Sequence, residues 1–144
     1  MINLNEYDIF HNFNSDQEIK DYMDKIRGKS IKSPQIYVGT PEQSFIQNQN
    51  APWIRITAIP GDLADYADDK RFIEYPRYQI DFWILRYKTK ELIKLEQMIY
   101  ENMYNHGYER YYKNHTRDID MTDLQMLQGN FEYQGFSSNE DEVQ

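Results

Sequence analysis

Between Tyr75 and His106 the hydrophobic period of the chain changes abruptly. From Tyr78 to Ile84 the residues alternate. Tyr78, Ile80, Phe82 and Ile84 share one face; Arg77, Gln79 and Asp81 occupy the other, where Trp83 and Leu85 follow. Alternation among aromatic and β-branched residues predicts a strand over Tyr75–Arg86 with one apolar face. Beyond it Leu92, Leu95, Ile99 and Met103 repeat at intervals of three and four. That spacing predicts a helix, with Thr89 as its cap and Gly107 as its end.

The flanking segments supply the other elements. Leu4, Tyr7, Ile9, Phe10 and Phe13 fall at helical spacing, and Ile19, Tyr22, Met23 and Ile26 continue it to Gly28. Asn14 or Ser15 between them offers a cap, with Asp16 and Glu18 in the next first turn, so two short helices or one bent helix fit. Pro34–Gly39 is a short strand, and Trp53–Ile59 a second, bracketed by Pro52 and by Pro60-Gly61. Between them Thr40–Pro52 is a polar loop with a helical turn near Glu42–Ile46. Asp62–Phe72 is a charged excursion. Tyr108–Ile119 and Leu124–Phe136 are paired strands around a turn at Thr122-Asp123, and Gly129 marks a bulge or a close backbone approach. The expected architecture is an α+β fold: a mainly antiparallel sheet of about four or five strands with helices packed on one face. Residues 1–136 form one domain, and residues 137–144 a flexible acidic tail.

A length of 144 residues suits a single core. The 13 tyrosines and 2 tryptophans fit both a core that reaches the surface and contact surfaces rich in rings. The absence of cysteine excludes disulfides, thiolate metal sites and a cysteine nucleophile. The first residues lack a basic segment and an apolar core, so no secretory signal is expected, and no apolar run reaches a membrane-spanning length. A net charge of −8 argues against general nucleic-acid binding, which needs Lys and Arg to neutralise phosphates.

Candidate chemistry is sparse. His11, His106 and His115 form no metal or catalytic motif, and His106 suits the negative end of a helix. Asp118–Asp123 resembles the start of a calcium loop, but Asp123 stands where the sharp turn needs Gly, and Gly129 where the loop needs Glu. Asp62, Asp65, Asp68 and Asp69 form a carboxylate cluster without a Gly-bounded ligand pattern, which favours a solvated or partner-facing loop. No nucleophile elbow, phosphate loop or dinucleotide fingerprint occurs. No enzymatic activity and no cofactor are expected.

Two surfaces remain. The helix is apolar around more than half its girth, leaving Lys94, Gln97, Glu101 and Asn105 as its polar stripe. Either the N-terminal helices or a neighbouring subunit covers the remainder, and Glu96 and Asn102 need partners if buried. The second face of the central strand, with Arg77, Asp81 and Trp83, fits a wet sheet face or a subunit interface.

The order of elements resembles that of the tail-terminator (tail-completion) proteins of long-tailed bacteriophages. The resemblance is carried by the N-terminal helix, by Ala51–Ile56, by Tyr78–Ile84, by Leu92–Tyr100 and by strands ending in Gly129–Gly135. It implies a non-enzymatic virion protein, assembled in the host cytoplasm, at the head-proximal end of the tail. There a hexameric ring of the protein with itself would cap the tail tube, binding the major tail tube protein on one side and the head connector or stopper on the other. DNA would pass the lumen without specific binding, and no membrane would take part. A head-completion or stopper protein of the same junction is similar in length and pattern. A small acidic DNA-mimic inhibitor of host defence is a further alternative, weakened by 16 interleaved basic residues. The candidate subunit or tube interface comprises Asp62, Asp65, Asp68, Asp69 and Arg71 of the excursion with Arg77, Asp81 and Trp83.

Overall fold

A computed structural model describes residues 5–59, 64–67, 70–74 and 76–134. The predicted acidic tail lies outside them. The chain opens with two helices, α1 (Glu6–Asn14) and α2 (Gln17–Arg27), so the N-terminal pattern resolves as a pair. Asn5 caps α1 reciprocally: its side chain accepts from the Tyr7 amide at 2.8 Å, while the Asp8 carboxylate accepts from the Asn5 amide at 2.9 Å. Asp16, predicted inside the first turn of α2, is instead its cap and accepts from the Ile19 amide. Gly28 ends α2 at φ 84°, a left-handed conformation that costs glycine little.

Seven strands and a third helix follow: β1 (Ile36–Val38), β2 (Trp53–Ala58), β3 (Ala64–Ala67), β4 (Lys70–Glu74), β5 (Arg77–Leu85), α3 (Thr89–Asn105), β6 (Tyr108–Arg117) and β7 (Leu124–Tyr133). Five strands form one sheet in the order β1-β2-β5-β7-β6. β1 runs parallel to β2, and every other pairing is antiparallel. The architecture is the expected α+β fold. Its central strand, β5, is the alternating stretch that dominates the sequence pattern.

Alternation sorts the core onto two faces. Ile80, Phe82 and Ile84 of β5 join Ile54, Ile56, Leu127 and Phe131 on the helix side, against Ile9 and Phe13 of α1, Met23 of α2 and Leu95, Ile99 and Met103 of α3. On the opposite face Trp53, Trp83 and Leu124 make a second, smaller cluster, roofed by Phe45 and Ala51 from the loop between β1 and β2. A wet face and a subunit interface were the two expectations there. Over the Trp half of β5 the chain's own loop covers the face instead.

Three details depart from the sequence pattern. Lys88, not Thr89, precedes the first turn of α3, and it makes no side-chain cap; its ammonium reaches the carbonyl of Ile26 at 3.1 Å. The excursion is not a plain loop, since β3 and β4 pair as an antiparallel ribbon. The bulge expected at Gly129 lies across the ladder, between Arg110 and Tyr112 of β6. What approaches Gly129 is a side chain: a Cβ there would meet the Phe131 ring at 2.9 Å.

Helix α3 is better covered than its composition suggested. Leu92, Leu95, Ile99 and Met103 are buried, and Ile93 and Tyr104 remain as exposed apolar residues. Both polar residues on the inner side find partners. The Asn102 amide donates to the carbonyl of Asn12 and to the Asp16 carboxylate, and Glu96 pairs with His115 at 2.9 Å.

Candidate functional site

Of the predicted interface residues, Asp62, Asp68 and Asp69 lie outside the described residues. Asp65 belongs to β3 and Arg71 to β4, so the ribbon brings these two into one element. Arg77, Asp81 and Trp83 lie on the second face of β5, each engaged within the chain. The Arg77 guanidinium bonds Glu132 at 2.9 Å, on the strand directly opposite, and stands 5.3 Å from the Tyr111 ring centroid. Asp81 is fully buried and receives Arg55 at 2.6 Å from the facing position of β2, with Gln79 donating to both its oxygens. A buried carboxylate needs such company, because desolvation of an unpaired charge costs several kcal/mol. Trp83 stacks on Trp53 with centroids 5.4 Å apart, carries the Arg55 guanidinium over its ring at 4.8 Å, and donates from its indole to Asp118 at 2.8 Å. Asp81 and Trp83 therefore spend their contacts inside the monomer.

Above the two Trp rings a cleft of about 150 Å³ opens between Thr40–Ile46 and Asp118–Met121. One side of it is fixed by Asp118, whose other oxygen accepts from the amides of Asp120 and Met121 at 2.9 and 2.7 Å. The calcium-like run is thus a turn held by its own first carboxylate. Among the described residues no group of three or more His, Asp or Glu is placed to hold a metal ion. The histidines have local roles: the His106 ring meets the carbonyl of Asn102 at 2.7 Å at the end of α3, and His115 pairs with Glu96.

Around β6 the surface is different. Tyr111 and Tyr112 are half exposed, and Lys113 and Arg117 are exposed. On the helix side Arg110 stands 4.8 Å above the Tyr100 ring, and Tyr100 stacks against Tyr104. The Tyr100 hydroxyl donates to Glu109 at 2.8 Å. That bond, with burial, raises the phenol above its ordinary pKa. Rings and guanidinium groups lie on both faces of one edge strand, a composition favoured at protein contacts. The dense run Tyr108–Lys113 carried that signal in the sequence, but its placement at an edge depends on β7 being inserted beside β5.

Arg27 had no sequence signal of its importance. Its side chain is fully buried and donates to Asp24 at 2.7 Å, Gln35 at 2.8 Å, and the carbonyls of Pro52 at 2.6 Å and Asn50 at 3.1 Å. Burial pulls its pKa below the usual arginine value against the attraction of Asp24. It ties the end of α2 to the segment that delivers Trp53.

No described helix is long and apolar enough to cross a membrane. No family model and no curated protein matches the chain. The fold is similar to that of a chain in the virion of a native gene transfer agent particle, with a TM-score of 0.56 and 7% identity, over 87% of this chain and 89% of that one. At that identity the likeness is one of fold.

Proposed function

We propose that the chain is a structural protein of a phage-like virion, and within that class a tail terminator: a non-enzymatic subunit of a hexameric ring at the head-proximal end of the tail tube. The observation that carries the virion reading is the shared fold with a chain of a gene transfer agent virion over most of both lengths. Among the described residues, the buried polar groups Arg27, Asp81 and Asn102 are committed to holding the fold. The terminator assignment rests on the resemblance in element order. In this reading the ring contacts the tube protein on one side and the head connector or stopper on the other. Six copies would carry roughly −48, repelling phosphates so that DNA slides through.

Particles lacking the protein test the assignment. A missing terminator gives tails of uncontrolled length that fail to join heads. Tails of normal length beside heads that lose DNA would indicate a stopper instead. Deleting residues 64–69 separates the role of the excursion: normal tail length and normal joining would remove it from the contact surface.

A further inference from the structure

The main sheet ends in two unequal edges. β1 offers three residues, none of them charged, and has α1 packed near it. β6 offers ten, bonded to β7 on one side, and no described strand pairs with the other. A long open edge is a template for another strand. The pairing with β7 sorts the side chains of this edge. Lys113, His115 and Arg117 stand opposite Gly129, Leu127 and Gln125. Leu127 belongs to the helix-side core, so the three basic residues share that face, and Tyr112, Asn114 and Thr116 fall on the other. His115 is paired with Glu96. Arg86 lines one shallow hollow with Arg117 and Gln125. No described carboxylate pairs with Lys113, Arg117 or Arg86. Cations without an acidic partner thus gather along one face of this edge, in a chain whose net charge is −8.

We propose that β6 takes an extended acidic segment of a different protein by strand addition, with carboxylates at every second position facing Lys113 and Arg117. The period follows from strand geometry. Side chains of an added strand alternate between faces, so only every second one meets the cations. Opposite charges on neighbouring strands attract, and like charges repel. The described strands of a second copy supply no such segment. Its β6 would set cations against cations, and its β1 is uncharged. Its β3 and β4 balance Asp65 and Glu74 against Lys70 and Arg71. Tyr111 and Tyr112, half exposed on the same strand, add aromatic area to the contact. The contact needs only the edge and its charges, and does not depend on a place in a tail.

The test uses the full chain and capped peptides, each as long as β6, built from Glu, Thr and Val. One carries Glu at alternate positions. A second has the same composition with its Glu residues in adjacent pairs, and a third has Lys in place of Glu. Binding is read by fluorescence anisotropy of the labelled peptide and by amide hydrogen exchange of β6. The alternating Glu peptide is expected to bind and to slow exchange at alternate amides between Tyr112 and Arg117, those turned away from β7. The paired-Glu peptide should bind about tenfold more weakly, and the Lys peptide not at all. Lys113→Glu with Arg117→Glu, both at exposed positions, should weaken binding of the alternating peptide about tenfold while leaving Trp emission unchanged. Equal binding of the two Glu peptides, or binding without protection of β6, would reduce the edge to a diffuse charged surface and overturn the proposal. Unchanged affinity in the charge-reversed variant refutes it as well. So does aggregation that follows Lys113→Ser with peptide binding undiminished, since the edge lysine would then serve only to prevent random pairing. Carbodiimide links formed in the protein alone, from Lys113 to a carboxylate of residues 135–144 or of a second copy, would also overturn it, because the chain would then close its own edge.

Discussion

Replacing Arg27 by Ala removes one buried cation and leaves its hydrogen-bond acceptors facing the space it filled. Asp24 is 29% exposed and recovers solvation from water. The carbonyls of Asn50 and Pro52 and the side chain of Gln35 lose donors at 3.1, 2.6 and 2.8 Å. Breaking a buried charged network by removing one partner costs about 3–5 kcal/mol, a large part of the roughly 5–15 kcal/mol that holds a domain together. For a chain of this size that lowers Tm by about 10 °C. Urea denaturation followed by Trp fluorescence is the assay, because Arg27 anchors the segment that delivers Trp53. Asp24→Ala should cost about 1 kcal/mol, as its charge is partly solvated. In a double-mutant cycle most of the Arg27→Ala loss should therefore persist without Asp24, since the two carbonyls and Gln35 remain. Arg27→Lys keeps the charge but loses the planar fork, and should fall between wild type and Ala. A loss below about 1 kcal/mol for Arg27→Ala would refute the account of Arg27 as the clamp between α2 and β2.

Three further outcomes follow from single side chains. The Tyr108 hydroxyl is buried without a partner among the described residues, so Tyr108→Phe should hold or raise stability at neutral pH by up to about 1 kcal/mol in urea melts. Burial also raises the Tyr108 phenol above its unfolded value of 10.0, so above pH 10 the unfolded chain loses its proton first and stability falls. Tyr108→Phe should make that alkaline loss shallower without abolishing it, because Tyr22, Tyr37 and Tyr100 are raised too. Gly129→Ala places a Cβ 2.9 Å from the buried Phe131 ring and should cost about 1–3 kcal/mol by thermal melting, relieved in part by Phe131→Leu. Asp118→Ala frees the Trp83 indole and two turn amides, and should cost about 1–3 kcal/mol while red-shifting Trp emission.

The central strand and the helix after it were legible because each buries a face whose period shows directly in the sequence. The same logic found α2 through Ile19, Met23 and Ile26. It failed where partners are distant in the chain. The second face of β5 is polar and aromatic in sequence, and only the pairing of Trp53 with Trp83 and of Arg55 with Asp81 makes it an interior. Arg27 looks like an ordinary basic residue at a helix end, because its acceptors near positions 50 and 52 come from a loop without periodicity. The ribbon β3–β4 was hidden by composition, since its charges outnumber its β-branched residues. The edge position of β6 likewise follows from the order β5-β7-β6, which local pattern does not encode.

The β2–β5 ladder closes with the Ile59 amide on the carbonyl of Arg77 at 3.0 Å, one rung beyond the pairing of Ala58 with Tyr78. Everything between those two residues is an insertion whose ends are already held together by the sheet. Closing such an insertion costs only about 0.6 kcal/mol for each doubling of its length. Selection can therefore rewrite this segment, lengthening it or exchanging its charges, with little penalty to the rest of the molecule. Lineages built on this sheet are free to diverge in what they attach to well before they diverge in shape.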